Sequence, residues 1–313
     1  MVSAGPAPRS ARVGLLQVCV AGVLWGTGGL VVTVLHERDG LGAMTTSAWR
    51  MALAAAALVG FAVVTRRSGL VLGTMRTHPV LAVLVGCGTA LYQGLYFVSI
   101  LLIGVSVATV VSLGLAPVLA AVWEHAIART WPSAREAGVL AAALVGLVLI
   151  SVTAGQGSAA PGDKPGFGLV LAVASGATYA ATTVLGHTLA QRVDSVALTT
   201  CAIAAGAVAL SPFLVVAAAS GDPVVTTDPT SLALMAYLGV ATMALAYGLL
   251  YAGLRTTSGS AATVATLVEP LSAALLAALL LGERLPWPAL LGGALILAAV
   301  VALHPTEERP APA

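Results

Sequence analysis

Residues 267–285 read LVEPLSAALLAALLLGERL. Everything between Glu269 and Glu283 is uncharged and nearly all of it is apolar. Extended back to residue 259, the run is long enough to cross a bilayer, which takes about 20 apolar residues. A carboxylate beside a proline therefore lies inside hydrocarbon. Such a residue costs several kcal/mol on most scales, so it is expected to face a bundle interior or a polar path. Pro270 removes a backbone donor and disturbs the preceding turn, and irregular backbone at that depth is tolerated only where it lines a path or is buried in protein.

The rest of the chain has the same character. It has 313 residues, 59% hydrophobic and 8% charged, with a mean hydropathy of +1.00. Soluble domains carry about 25% charged residues, so this chain lacks the polar surface to coat a globule and reads as an integral membrane protein. The runs are long and do not alternate, so they are helices rather than barrel strands. Net charge is +2, with no basic patch interleaved with aromatics, which argues against nucleic acid as a partner. Cys19, Cys87 and Cys201 all fall in apolar runs and read as small packing residues; no metal or cofactor motif is present. Arginine outnumbers lysine thirteen to one among alanine, valine and glycine, a coding bias that suggests a GC-rich bacterium. The first apolar run is too long for a signal peptide and is expected to stay as a span.

Ten spans are expected, at 12–35, 44–64, 79–102, 105–128, 135–153, 166–190, 196–219, 230–254, 259–281 and 287–303. The division between the third and fourth rests on length and on Gly104. With ten spans both termini share a side. If that side is the cytoplasm, the inner segments hold Arg9, Arg12, Arg66, Arg67, Arg76, Arg129, Arg135, Arg192, Arg255 and Arg309. The outer loops hold Arg38, Lys164 and Arg284. Ten against three follows the positive-inside rule and predicts a bacterial cytoplasmic (inner) membrane protein with both ends inside.

The second half echoes the first at an offset of 154. Gly14-Leu15 matches Gly168-Leu169, Gly22 matches Gly176, and Trp25 matches Tyr179. Thr45-Thr46 matches Thr199-Thr200, Gln93-Gly94-Leu95 matches Tyr247-Gly248-Leu249, Thr109-Val110 matches Thr263-Val264, and Pro132 matches Pro286. Five spans per copy is an odd number, so the copies would enter the membrane from opposite sides as inverted repeats, with a substrate site near the midplane. The expected fold is all-α and polytopic, ten transmembrane helices as two inverted five-helix repeats. It divides into a tail at 1–11, a first repeat at 12–153, an outer linker at 154–165, a second repeat at 166–303 and a tail at 304–313.

These motifs resemble the drug/metabolite transporter superfamily, specifically its EamA-type members. Leu24-Trp25-Gly26-Thr27 is similar to the family's opening motif, Trp49-Arg50 to its aromatic-arginine pattern, and Leu267-Val268-Glu269-Pro270 followed by Leu281-Gly282-Glu283-Arg284-Leu285 to its most specific signature. The first half departs from it: Ala116-Pro117 lacks the glutamate and Arg129-Thr130-Trp131 replaces the charged turn. The resemblance covers about residues 12–303. It implies a ten-helix transporter of small metabolites or drugs, often an exporter.

Within that frame Glu269 is the candidate for binding a substrate amine or exchanging a proton, against a structural reading as a hydrogen-bonded acid at a kink. Trp25, Tyr92, Tyr96, Tyr179, Tyr247 and Tyr251 lie well inside spans, away from the interfaces where Trp and Tyr concentrate; with Gln93 they are the candidate substrate-binding residues. A buried tyrosine hydroxyl needs a partner, from a ligand or from a neighbouring helix. Arg50 is expected to snorkel toward the outer end of its helix, binding of an anionic group being the second reading. Glu124 reads as a solvated interface position. Gly22-x-x-x-Gly26 is a close-packing motif.

No catalytic constellation and no nucleotide-binding loop is visible, so an enzyme or an ATP-driven pump is not expected. The leading expectation is a secondary active transporter, an exporter of a small metabolite or drug-like solute by alternating access, with the solute, the lipid bilayer and protons as its partners. A flippase for a lipid or lipid-linked molecule is the alternative. Nothing in the sequence fixes an oligomeric state.

Overall fold

The computed structural model describes residues 8–103, 105–154, 165–281 and 286–302, and every regular element in them is helical. The elements are α1 (Pro8–Asp39), α2 (Ala43–Val64), α3 (Ser68–Thr77), α4 (Pro79–Ile103), α5 (Val105–Ala128), α6 (Ala134–Ala154) and α7 (Pro165–Ala190). There follow α8 (Ser195–Ser220), α9 (Pro229–Gly239), a π-helical segment at Val240–Leu245, α10 (Ala246–Gly253), α11 (Gly259–Ala265), α12 (Val268–Leu281) and α13 (Trp287–Ala302). Among the described residues nine spans are long and apolar enough to cross a membrane, with α9 to α10 and α11 to α12 each counted as one; α13 is a shorter apolar helix. The expected linker at 154–165 falls almost wholly outside the described residues. So do Gly104, most of the Leu281–Leu285 motif with Glu283 and Arg284, and the C-terminal tail.

Local sequence sets the helix ends. The Asp194 carboxylate accepts from the backbone N–H groups of Val196 and Ala197 at the start of α8. Asp228 does the same for Ser231 at the start of α9, with Pro229 in the first turn, where its missing N–H costs nothing. α8 ends on Gly221 at φ 78°, a left-handed position that glycine occupies without a Cβ clash. Ser258 caps α11 through the Ala261 N–H.

Three elements differ from the sequence expectation. The segment between the second and third spans is not a loop. It folds as α3, whose Thr74 is buried and whose Val71 carbonyl accepts from the Cys201 thiol at 3.6 Å, holding it against α8. The eighth span is interrupted by the π segment. The ninth is two helices rather than one: Leu267 N–H bonds to Val264 at 3.1 Å and Glu269 N–H to Thr266 at 2.9 Å. These bonds reach back three residues. Pro270 has no N–H to continue the four-residue ladder from Thr266, so the break falls where the proline requires it.

The packing crosses between the halves. α1 lies against α10 and α12, and α7 against α4 and α5; α2 meets α8 and α6 meets α13. Small residues let the backbones approach. A Cβ on Gly26 would stand 2.6 Å from the Glu269 carbonyl oxygen and 2.7 Å from Ser272 Cβ, and one on Gly176 would stand 2.6 Å from the Ser112 carbonyl oxygen. In lipid, where apolar surface gains nothing by leaving the solvent, such van der Waals contact is a main source of helix association. The largest buried cluster draws Leu15, Val18, Met51, Val85, Leu147, Leu198, Tyr251 and Leu267 from both halves.

Candidate functional site

The crossing places the aromatic residues of both halves in one group. Trp25 of α1 meets Tyr247 of α10 edge-on, with ring centroids 5.1 Å apart. Tyr92 of α4 meets Tyr179 of α7 at 5.0 Å, and Tyr247 meets Tyr251 at 6.0 Å. Such pairs contribute roughly 0.5–1.5 kcal/mol each beyond the area they bury. The hydroxyls find protein partners: Tyr92 and Tyr247 share a 2.8 Å hydrogen bond, Tyr96 bonds Thr109 at 2.6 Å, and Tyr179 donates to Thr266 at 3.0 Å. Tyr251 is directed at Thr89. Tyr179, Tyr247, Tyr251 and Gln93 are buried, while Trp25, Tyr92, Tyr96 and Glu269 are half-buried. All eight residues singled out in the sequence lie on the helices that cross here. Tyr96 sits one turn further along α4, where it stacks on Phe97 at 5.8 Å.

Arg50 corrects the sequence reading. Its side chain does not snorkel to the helix end. It turns into the bundle, where Nη2 donates to Gln93 Oε1 at 3.0 Å and contacts Met243 Sδ at 3.6 Å. Burying the stem among α1, α4 and the π segment leaves the guanidinium facing neutral acceptors, and its Nε has no hydrogen-bond partner. Gln93 is held for this by its own amide, which donates to the Thr89 carbonyl at 3.3 Å. The indole Nε1 of Trp25 is likewise buried without a partner.

Glu269 occupies the first turn of α12, just past the break. Arg50 acts on it electrostatically, yet no nitrogen–oxygen approach within 4 Å joins them, and among the described residues the carboxylate makes no hydrogen bond. Around the carboxylate are the aromatic hydroxyls and Arg50, while the backbone of Glu269 lies against α1 at Gly22 and Gly26. The arrangement brings one cation, one free carboxyl and several hydroxyls together beside a broken helix, a set that can exchange a proton or meet a polar solute.

Met243 and Thr89 escape the sequence reading. A methionine on an apolar span carries no signal of its own; only the π segment, which shifts its register and aims the thioether at Arg50, gives it a role. Glu124 departs from the solvated position expected of it. It is half-buried, and its carboxylate accepts from the Ser260 backbone N–H at 3.1 Å and from the Ser260 hydroxyl.

Comparison with known proteins agrees with this architecture. The model of the EamA-like transporter family matches the chain twice, over residues 12–152 and 166–303. The chain is 27% identical to the uncharacterized transporter YwfM of Bacillus subtilis, covering 95% of this chain and 96% of that protein. It is 26% identical to the uncharacterized inner membrane transporter YicL of Salmonella typhimurium, covering 96% and 98%. A crystal structure at 17% identity superposes with a TM-score of 0.76 over 92% of this chain and 95% of that one, which shows a shared fold.

Proposed function

The chain belongs to the EamA-like transporter family, and from that premise we propose that it is a secondary active transporter in a bacterial inner membrane. It moves a small metabolite or drug-like solute by alternating access, outward in the direction the family resemblance implies. Both termini are cytoplasmic, in keeping with the arginine-rich inner segments. The working unit is ten helices in two inverted five-helix repeats, residues 12–153 and 166–303 around the linker 154–165, with the tails 1–11 and 304–313 inside.

Several contacts favour the inverted arrangement. At the offset of 154, Gly22 against Thr266 corresponds to Gly176 against Ser112. The Trp25–Tyr247 ring pair corresponds to Tyr179–Tyr92 within one residue. A twofold axis in the membrane plane relates such pairs and puts the site where the halves meet.

The observation that carries the proposal is the Glu269 carboxyl, unpartnered at a break between half-helices and facing a group drawn from both halves. Glu269 is the coupling residue: it takes a proton from one side and releases it to the other as the solute moves. Trp25, Tyr92, Gln93, Tyr96, Tyr179, Tyr247 and Tyr251 bind the solute, their rings supplying apolar contact and their hydroxyls exchanging one another for its polar groups. The test begins with a metabolite profile of cells with and without the gene, which identifies the solute. Flux of that solute is then measured in proteoliposomes under an imposed pH gradient. Glu269→Gln is expected to lose the pH dependence of flux; an unchanged dependence removes the glutamate from coupling.

A further inference from the structure

The contact between Glu124 and Ser260 has no place in solute binding, yet it joins the two halves at the end of the bundle that carries the termini. Glu124 lies near the end of α5. Its carboxylate receives the Ser260 N–H and the Ser260 hydroxyl at the first turn of α11. The neighbouring Gly259 makes room for it: a Cβ there would stand 3.0 Å from Glu124 Oε1 and 3.7 Å from Val184 of α7. His187, one turn further along α7, lies within electrostatic reach of the same carboxylate. α11 is held at its other end by Tyr179, which donates to Thr266 at the break. A seven-residue helix is thus pinned at both ends by side chains from other helices, and the break at Thr266–Leu267 separates it from Glu269.

We propose that Glu124 is the positioning residue of the transport cycle, a latch that holds α11 against α5 and closes the cytoplasmic entrance to the site around Glu269. Release of the latch lets α11 swing about the break and admits solute from the cytoplasm. The device is one-sided. The position 154 residues beyond Glu124 is Ala278, so the corresponding place on the opposite face carries no acid. This rests on the proposed sidedness, with the termini inside.

The test uses the full chain with Cys19, Cys87 and Cys201 replaced by alanine and a single reporter, Thr263→Cys, on α11, where Thr263 is 1% exposed. A membrane-impermeant maleimide is applied to inside-out vesicles. Glu124→Ala is expected to raise the labelling rate about tenfold, the change in an opening equilibrium when a charge-assisted hydrogen bond is lost. Glu124→Gln keeps an acceptor oxygen and the side-chain shape, and is expected to fall between the two. It also serves if the alanine variant fails to assemble. Adding Ser260→Ala to Glu124→Ala is expected to change nothing further, since both remove one contact. A rate within twofold of the parent in both Glu124 variants overturns the proposal. So does an equal rise in right-side-out vesicles, which would mean general loosening. Labelling needs neither solute nor pH gradient, so a failure of proton coupling at Glu269 leaves this result untouched.

Discussion

Gly26→Ala and Gly29→Ala place the same methyl group on one helix, three residues apart, and should act in opposite directions. At Gly26 the new Cβ would meet backbone of α12: the Glu269 carbonyl oxygen at 2.6 Å and the Ala273 nitrogen at 3.0 Å, besides Ser272 Cβ at 2.7 Å. Backbone cannot yield by a change of rotamer. Restoring ordinary contact, roughly 3.4 Å or more, requires α12 to retreat by about 0.8 Å. Overpacking of this kind costs about 1–3 kcal/mol, partly offset by the roughly 0.5–1 kcal/mol that alanine gains over glycine inside a helix. The net is a loss of up to about 2.5 kcal/mol. At Gly29 no described residue outside the helix's own backbone lies within 4 Å of the new atom, so the helix gain dominates. The assay is thermal unfolding of the purified variants in nanodiscs, with solute flux alongside. Gly26→Ala should melt below the parent and lose flux beyond what stability explains, because the carbonyl being pushed belongs to Glu269. Gly29→Ala should melt at or above the parent. Equal melting temperatures for the two variants would refute the close approach of α1 and α12.

Tyr92→Phe leaves the Tyr247 hydroxyl without its partner and is expected to cost about 1 kcal/mol; adding Tyr247→Phe should cost less than the sum of the single changes, a coupling that a double-mutant cycle of melting temperatures measures. Asp228 gives a pH dependence outside the membrane. The Ser231 backbone N–H, the Ser231 hydroxyl and the Arg38 guanidinium at 3.2 Å hold its carboxyl below the usual range. With the folded value depressed, the cap's contribution is fully present above the unfolded carboxylate value of about 4 and is lost as pH falls through the folded one. Asp228→Asn should therefore flatten the acid limb of a plot of melting temperature against pH, and an unaltered limb would count against the cap.

The spans are legible because lipid demands long apolar helices, and their expected ends agree with the described helices to within a few residues. The aromatic group is legible too, since tyrosines far from an interface stand out. Facing is not. A helix with lipid on one side and packed protein on the other is apolar all round, so periodicity does not say which way Arg50 points. Depth along α2 suggests the outer boundary; only the packed partners, Gln93 and Met243, reveal the inward turn. The break at Thr266–Leu267 is foreshadowed by Pro270. The π segment has no such marker, because Val240–Leu245 contains neither proline nor glycine. The Glu124–Ser260 contact joins residues 136 apart in the chain, and nothing in a single sequence pairs them.

The exchanged packing of α1 has a consequence for how the protein is made. Its partners α10 and α12 leave the ribosome more than 200 residues after it, a delay of roughly 10–40 s at ordinary rates of synthesis. Throughout that interval the groove at Gly14, Gly22 and Gly26 is complete but empty, and acyl chains or a translocase must fill it. Biogenesis of this chain is therefore a matter of storage, in which its earliest helix waits for its latest.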